Sequence, residues 1–224
     1  MQSRKSKGVG IVDKIFNHLN NVFFGPFYFQ AALMLRTSLL LSSVLVNSES
    51  WYNLSSTDIQ QLESADNILH RRLLETPKTT PISIMHLELG TLPIRHVIKC
   101  RRLVFLQYLL KQDKDTLMYK FFEAQLRDPQ KGDWVLQVKQ DLIDVKLQDK
   151  TVDQITTMTE YYFQIKLKRA IDRFAFNWLI SEKNKPGSKG NKLVYEKLKL
   201  QTYFLLNDMT IQHCNLLFSI VTLT

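Results

Sequence analysis

The sequence is poor in the residues that form tight turns and cross-links. Seven glycines and six prolines among 224 residues are few for a β-sandwich or a doubly wound sheet, both of which need many tight turns. The two cysteines, Cys100 and Cys214, exclude a disulfide framework and are typical of thiols in a reducing compartment. The basic N-terminus is not followed by the short apolar run of a signal peptide. We therefore expect an intracellular protein, of the nucleus or the cytoplasm, that is not secreted.

The motifs that mark common enzyme sites are also missing. The sequence contains no phosphate-binding Walker loop, no dinucleotide fingerprint and no nucleophile elbow, and no two of its aspartates are adjacent. Two spaced pairs exist, Asp113 with Asp115 and Asp141 with Asp144. Their polar helical surroundings favour a solvated face over a two-cation site. We therefore expect no catalytic residue in this chain.

His96 and Cys100 stand one helical turn apart and would supply half of a zinc site. No second pair of ligands stands at a matching spacing, and the neighbours His213 and Cys214 would diverge on a helix. A surface histidine and a packed thiol are the interpretation that the pattern favours. No metal and no other cofactor is expected.

Apolar residues recur every three or four positions over nearly the whole chain, which is the period of an amphipathic helix. Ile11, Ile15 and Leu19 begin this pattern. The sequence shows no β-alternation of useful length and no repeat at a fixed period. The predicted fold class is all-α, an irregular multi-helix bundle without a substantial sheet.

The most apolar stretch of the chain, residues 23–46, is long enough to cross a bilayer. Arg36 stands in its middle, and a central arginine costs about 2.5–3.5 kcal/mol on an insertion scale. We therefore predict a buried core helix, with no stable membrane insertion. Its apolar face is expected to include Phe29, Leu33 and Leu40.

Several local signals place helix ends. Ser55 and Asp58 have the spacing of a capping box, which predicts the start of a helix. Asp66 is the one residue that breaks the apolar stripe of that helix. Further on, Gly90 is a good left-handed cap, and Pro93 favours the start of the next helix.

The chain carries 30 Lys and Arg against 21 Asp and Glu, a net charge of +9, which favours polyanionic partners. The basic residues concentrate on two predicted helices and in a Lys-rich linker. Basic helix faces track phosphates by Coulomb attraction and counterion release, without reading sequence; an ordinary solvated face is the alternative. The candidate nucleic-acid-binding residues are Arg95, Lys99, Arg101, Arg102, Lys166, Lys168, Arg169 and Arg173.

A series of short sequence elements points to a family. The first is ALMLRTSLLLSS at 32–43, which continues into NSESWY at 47–52. The others follow in order: LESAD at 62–66, two arginines at 71–72, TPKTTP at 76–81, HLELG at 86–90, PIR at 93–95, RRL at 101–103 and KGDW at 131–134. From Lys7 to Leu206 the chain resembles proteins of the non-LTR (LINE-like) retrotransposons of animals, in the region just after the reverse transcriptase palm.

The resemblance implies the thumb and post-thumb helices of an RNA-directed DNA polymerase, separated from the palm that carries the catalytic aspartates. We accordingly divide the chain into a thumb-like region (1–76), a post-thumb region (77–183), a basic flexible linker (184–192) and C-terminal helices (193–224). Such proteins often continue into a Cys/His-rich segment that is absent here, so we expect a truncated C-terminal region. The expected partners are RNA or an RNA–DNA duplex and the palm of the parent polymerase. The expected function is non-catalytic contact with the template–primer backbone.

A helical scaffold that binds a protein partner, with no nucleic-acid role, is the alternative function. Without a palm, the core helix predicted at 23–46 would lie partly uncovered. Exposed apolar patches of this kind favour association, including self-association.

Overall fold

The computed structural model describes residues 2–22, 27–147, 155 and 158–183. The predicted Gly-Pro break at 25–26, the linker at 184–192 and the helices predicted over 193–224 lie outside these residues. The described part of the chain contains helices and no β-strand, which confirms the all-α class. Its helices are α1 (Gln2–Val22), α2 (Phe27–Leu35), α3 (Ser42–Val44), α4 (Ser56–Leu73), α5 (Ile82–Leu89), α6 (Ile94–Leu110), α7 (Leu117–Arg127), α8 (Trp134–Asp144) and α9 (Glu160–Lys183). A π-helical stretch, Arg36–Leu41, joins α2 to α3, and a 3₁₀ turn, Ser48–Ser50, precedes α4.

The structure contains the two helix caps that the sequence predicts, at Ser55 and at Gly90. The Asp58 N–H donates to Ser55 Oγ at 3.1 Å, and the Ser55 N–H donates to the Asp58 carboxylate at 3.2 Å, which is the reciprocal pair of a capping box. Helix α5 ends at Gly90, whose φ of 60° is left-handed. The Thr91 N–H then donates to the His86 carbonyl at 3.0 Å, the longer bond of a Schellman motif. This turn holds Thr91 beside His86.

One compact unit comprises residues 45–63 and 93–177, as far as these are described. Helix α6 packs against the 3₁₀ turn and against α7 and α8. The Trp134 ring lies edge-on to Phe122, and its Nε1 donates to the Glu49 carbonyl at 2.8 Å. Ile98 and Leu103 of α6 are buried. The core of this unit therefore lies along α6.

The second unit comprises residues 2–44, 64–92 and, at the end of the described chain, 178–183. Helix α1 packs against α2, the π stretch and α3. The close contact between α1 and α4 depends on Gly8, because a Cβ at that position would lie 2.8 Å from the Ala65 Cβ. The two units interleave along the chain, and the division into 1–76 and 77–183 stays a prediction.

The apolar run behaves as a core segment over its described part. Leu33, Leu40 and Leu45 are buried, as are Ala32 and Val44. Phe29 does not belong to the buried face as predicted, since it is 45% exposed. Within the described ranges, no helix combines the length and the apolarity that crossing a bilayer requires.

Candidate functional site

A buried ion pair lies within the second unit, where the π stretch and α4 supply opposite charges. Arg36 Nε donates to Asp66 Oδ1 at 2.6 Å, and Arg36 Nη2 donates to Oδ2 at 2.7 Å. The two residues are only 5% and 1% exposed. Arg36 Nη2 also donates to the Leu92 carbonyl at 2.9 Å. The arginine and the carboxylate therefore form a bidentate pair with two parallel hydrogen bonds, which is a strong arrangement for these two groups.

The charge of Asp66 follows from this pairing. Burial by itself raises the pKa of the Asp66 carboxyl, but the nearby positive charge of Arg36 and its hydrogen bonds outweigh burial and lower the pKa well below its ordinary value. Asp66 is therefore ionised at neutral pH. The Arg36–Asp66 pair carries no net charge.

Two histidines adjoin the pair. His70 lies one turn after Asp66 on α4, with its Nε2 3.7 Å from Asp66 Oδ1. The ring of His86, on α5, stands edge-on to the His70 ring at a centroid distance of 4.6 Å. Thr91 Oγ1 lies 2.9 Å from His86 Nδ1 and 3.4 Å from His70 Nε2. We call Asp66, His70 and His86 the α4–α5 cluster.

Both histidines of the α4–α5 cluster are neutral at pH 7. Burial lowers the pKa of His70 to about 4, and burial followed by the proximity of His70 lowers the pKa of His86 well below its ordinary value. His70 Nδ1 is buried and has no hydrogen-bond partner among the described residues. The cluster thus combines two neutral imidazoles with one carboxylate, which is a donor set for a transition-metal ion.

Sequence reasoning missed the two histidines of this cluster. The available signal was Asp66, the break in the apolar stripe, together with His70 four positions later, because that spacing places both side chains on one face of a helix. His86 belongs to another helix, and nothing local in the sequence pairs it with α4.

The cations predicted on α6 form internal contacts in the first unit. Arg95 donates to both oxygens of Glu63 at 2.8 and 2.7 Å. Arg101 donates to the Leu45 carbonyl at 2.7 Å and to Ser48 Oγ at 3.2 Å. Each of these two cations therefore has a partner within its own unit.

The other two cations of α6 are buried against α8. Lys99 contacts Asp144 and lies 3.2 Å from Asp141 Oδ1, and Arg102 Nε donates to Asp141 Oδ2 at 2.7 Å. Arg102 and Asp141 are 6% and 0% exposed. The solvated face predicted for Asp141 and Asp144 is therefore wrong for Asp141, because two buried cations from α6 require a buried carboxylate.

The cations predicted on α9 lie differently. Arg169 and Arg173 are exposed and form no ion pair with any described residue. Lys166 is half-buried, with its Nζ 4.5 Å from the centroid of the Tyr162 ring. Lys168 is half-buried beside Asp172. Burial raises the pKa of the Asp172 carboxyl, and the positive charge of Lys168 offsets only part of this rise. Among the eight predicted residues, the structure brings Lys166, Arg169 and Arg173 together on one side of α9.

His96 is not the surface residue that the sequence predicts. It is 2% exposed, and its ring stands edge-on to Phe174 of α9 at 5.4 Å. Cys100, one turn later, is half-buried. Within the described residues, His96 and Cys100 do not belong to any group of three metal-ligating side chains.

Comparisons with protein-family models, with curated proteins and with solved structures found no match to this chain.

Proposed function

We propose that this chain is the non-catalytic, thumb-type helical region of a non-LTR retrotransposon reverse transcriptase, and that it holds the backbone of RNA or of an RNA–DNA duplex. The assignment rests on the order and spacing of the matching sequence elements. The observation that carries the binding role is the basic side of α9, formed by the exposed Arg169 and Arg173 and the half-buried Lys166. Synthesis would belong to the palm of the parent polymerase, in the nucleus or the cytoplasm.

The geometry of this basic side suits a backbone contact. Residues 166, 169 and 173 are three and four positions apart, so their side chains share one side of the helix. They span about 10 Å of the helix axis. Over that length, one strand of a B-form duplex carries about three phosphates. The side is therefore matched in length and charge to a short run of backbone, which is a contact that does not depend on base sequence.

The α6 cations have a supporting role in this proposal. A phosphate would have to displace Glu63 from Arg95, or Asp141 from Arg102, and would leave a carboxylate without its partner. Breaking the buried Arg102–Asp141 pair in this way costs about 3–5 kcal/mol, and the partly exposed Arg95 would lose both of its bonds to Glu63. We therefore assign the phosphate contacts to α9, while Arg95, Lys99, Arg101 and Arg102 stabilise the unit that carries it.

The test is binding of a fluorescently labelled RNA–DNA duplex, followed by anisotropy. The variant Lys166→Gln, Arg169→Gln, Arg173→Gln removes three charges from α9. A matched control, Lys114→Gln, Arg127→Gln, Lys131→Gln, removes three charges from exposed residues in and near α7.

We expect the α9 variant to bind about tenfold more weakly or worse at low salt, and the control to bind like the natural chain. Equal affinities for all three proteins would contradict the proposal.

A second function, a helical scaffold for a protein partner, is favoured by one observation. Leu117 and Phe121, one turn apart on α7, are 85% and 67% exposed, and large exposed apolar side chains that adjoin each other favour association. Light scattering separates the two functions. Self-association that Leu117→Ser abolishes, together with no duplex binding, would favour the scaffold.

A further inference from the structure

We propose that Asp66, His70 and His86 bind one divalent transition-metal ion, and that Zn²⁺ is the ion that this donor set fits. One ligand atom from each of the three side chains lies within 4.8 Å of the other two. All three residues are buried, at 0–2% exposure. The proposal concerns the second unit and does not depend on nucleic-acid binding.

The donor set decides the class of ion. Two imidazoles and a carboxylate suit zinc, whereas Mg²⁺ and Ca²⁺ are bound mainly by oxygen ligands. Three protein ligands leave the fourth position of a tetrahedral zinc ion for a small oxygen ligand. The Thr91 hydroxyl, within 3.4 Å of a ring nitrogen of each histidine, is a protein oxygen of that kind.

Hydrogen bonding within the cluster leaves His70 poorly satisfied. Its Nε2 lies 3.4 Å from Thr91 Oγ1 and 3.7 Å from Asp66 Oδ1, and both distances exceed those of an ordinary N–H···O bond. Its Nδ1 has no partner among the described residues. Buried polar atoms are normally paired, because each unpaired one costs about 1–3 kcal/mol. An ion bound at Nε2, the ring nitrogen that lies near Asp66 and Thr91, would give that nitrogen a strong partner.

The surroundings resemble the outer layer of a metal site. Ligating carboxylates and histidines are usually held in place by further hydrogen bonds. Arg36 holds Asp66 in this way, through hydrogen bonds to both of its carboxylate oxygens. Each carboxylate oxygen has two lone pairs, so the two bonds from Arg36 leave acceptor capacity for a metal. The Arg36 charge offsets that of Asp66, and the two imidazoles therefore supply most of the affinity.

The experiment counts zinc in the full chain, purified without a polyhistidine tag from cells grown with added zinc sulfate. Elemental mass spectrometry gives the zinc content per chain for the natural protein and for His70→Gln and His86→Gln. The controls are His18→Gln, an exposed histidine of α1, and His96→Gln, a buried histidine of the first unit. We expect about one zinc per chain in the natural protein and both controls, and at least a tenfold loss in the two cluster variants.

A natural protein that contains no zinc, or cluster variants that retain it, would overturn the proposal. If the cluster variants do not fold, X-ray absorption of the zinc-loaded natural chain decides the question. Imidazole nitrogens and oxygen around zinc support the site, and a thiolate sulfur in that shell contradicts it. Neither the zinc content nor the X-ray absorption depends on duplex binding. A negative result for the zinc site therefore leaves the proposed nucleic-acid binding untouched, and the reverse also holds.

Discussion

Arg36 and Asp66, 30 residues apart in the sequence, are joined by two hydrogen bonds of 2.6 and 2.7 Å in the buried part of the second unit. Each is the charged residue that interrupts its own apolar pattern, Arg36 in the run 23–46 and Asp66 in the stripe of α4. The ion pair between Arg36 and Asp66 therefore accounts for both interruptions. A buried charge requires a partner, and the partner also has to be brought out of water.

The first prediction concerns this pair. Asp66→Asn keeps the size of the side chain but leaves the Arg36 charge buried and uncompensated, so we expect a loss of about 3–5 kcal/mol in the free energy of unfolding. The double variant Arg36→Met, Asp66→Leu removes both charges and should recover most of that loss. Urea unfolding in the presence of a chelator measures both effects. A single variant within about 1 kcal/mol of the natural chain would show that the pair contributes little.

The second prediction compares two glycines of α1. Gly8→Ala places a Cβ 2.8 Å from the Ala65 Cβ, so the helices must shift and the protein should be destabilised by about 1–3 kcal/mol. At Gly10 a Cβ meets nothing within 4 Å, and Gly10→Ala should stabilise the helix by about 0.5–1 kcal/mol. Thermal unfolding compares the pair. Opposite signs are expected, and equal shifts would contradict the contact between α1 and Ala65.

The third prediction is a pH dependence of stability. Burial, and then the charges of Lys99 and Arg95, lower the pKa of His96 to about 3, although Asp144 acts in the other direction. The unfolded chain, with a histidine pKa of about 6.5, therefore binds a proton that the folded chain does not. The stabilising contribution of neutral His96 is complete above pH 6.5 and is lost as the pH falls towards 3.

The slope of this loss is at most about 1.4 kcal/mol per pH unit for each histidine. We expect His96→Leu to have a shallower decline in the free energy of unfolding between pH 6 and pH 4 than the natural chain, measured by urea unfolding. His18→Leu, at an exposed position, is the control for the loss of one histidine. Parallel profiles for the natural chain and His96→Leu would contradict the burial of a neutral imidazole.

The fourth prediction concerns the contact between α6 and α8. Asp141→Asn leaves Lys99 and Arg102 without the buried carboxylate that both contact, and we expect a loss of about 3–5 kcal/mol. Asp128→Asn, at an exposed position after α7, should change stability by no more than about 0.5 kcal/mol. Denaturant unfolding that gave similar values for the two variants would refute the structural role of these cations.

The features that could be predicted from the sequence are those that depend on residues close together in the chain. The capping box of Ser55 and Asp58, the left-handed end of α5 at Gly90 and the helical class all follow from residues within one or two turns. The partner of Asp66 could not be predicted, because it comes from another helical segment.

The same limit applied to α6. The periodicity placed Arg95, Lys99 and Arg102 on one side of that helix, but a period does not say whether the side faces water or carboxylates. Glu63 on α4 and Asp141 on α8 decide that question, and only tertiary packing brings them there. On α9, Arg169 and Arg173 are exposed whereas Lys166 and Lys168 are half-buried, and the phosphate contact of this helix stays a prediction.

The salt dependence of duplex binding decides whether the basic side of α9 contacts a nucleic-acid backbone. The logarithm of the binding constant for an RNA–DNA duplex should fall linearly with the logarithm of the salt concentration, and each phosphate contact contributes about 0.7–0.9 to the slope. We expect the variant that lacks the charges of Lys166, Arg169 and Arg173 to lose about 2–3 from the magnitude of that slope. A slope equal to that of the natural chain would contradict the contact between α9 and the phosphates.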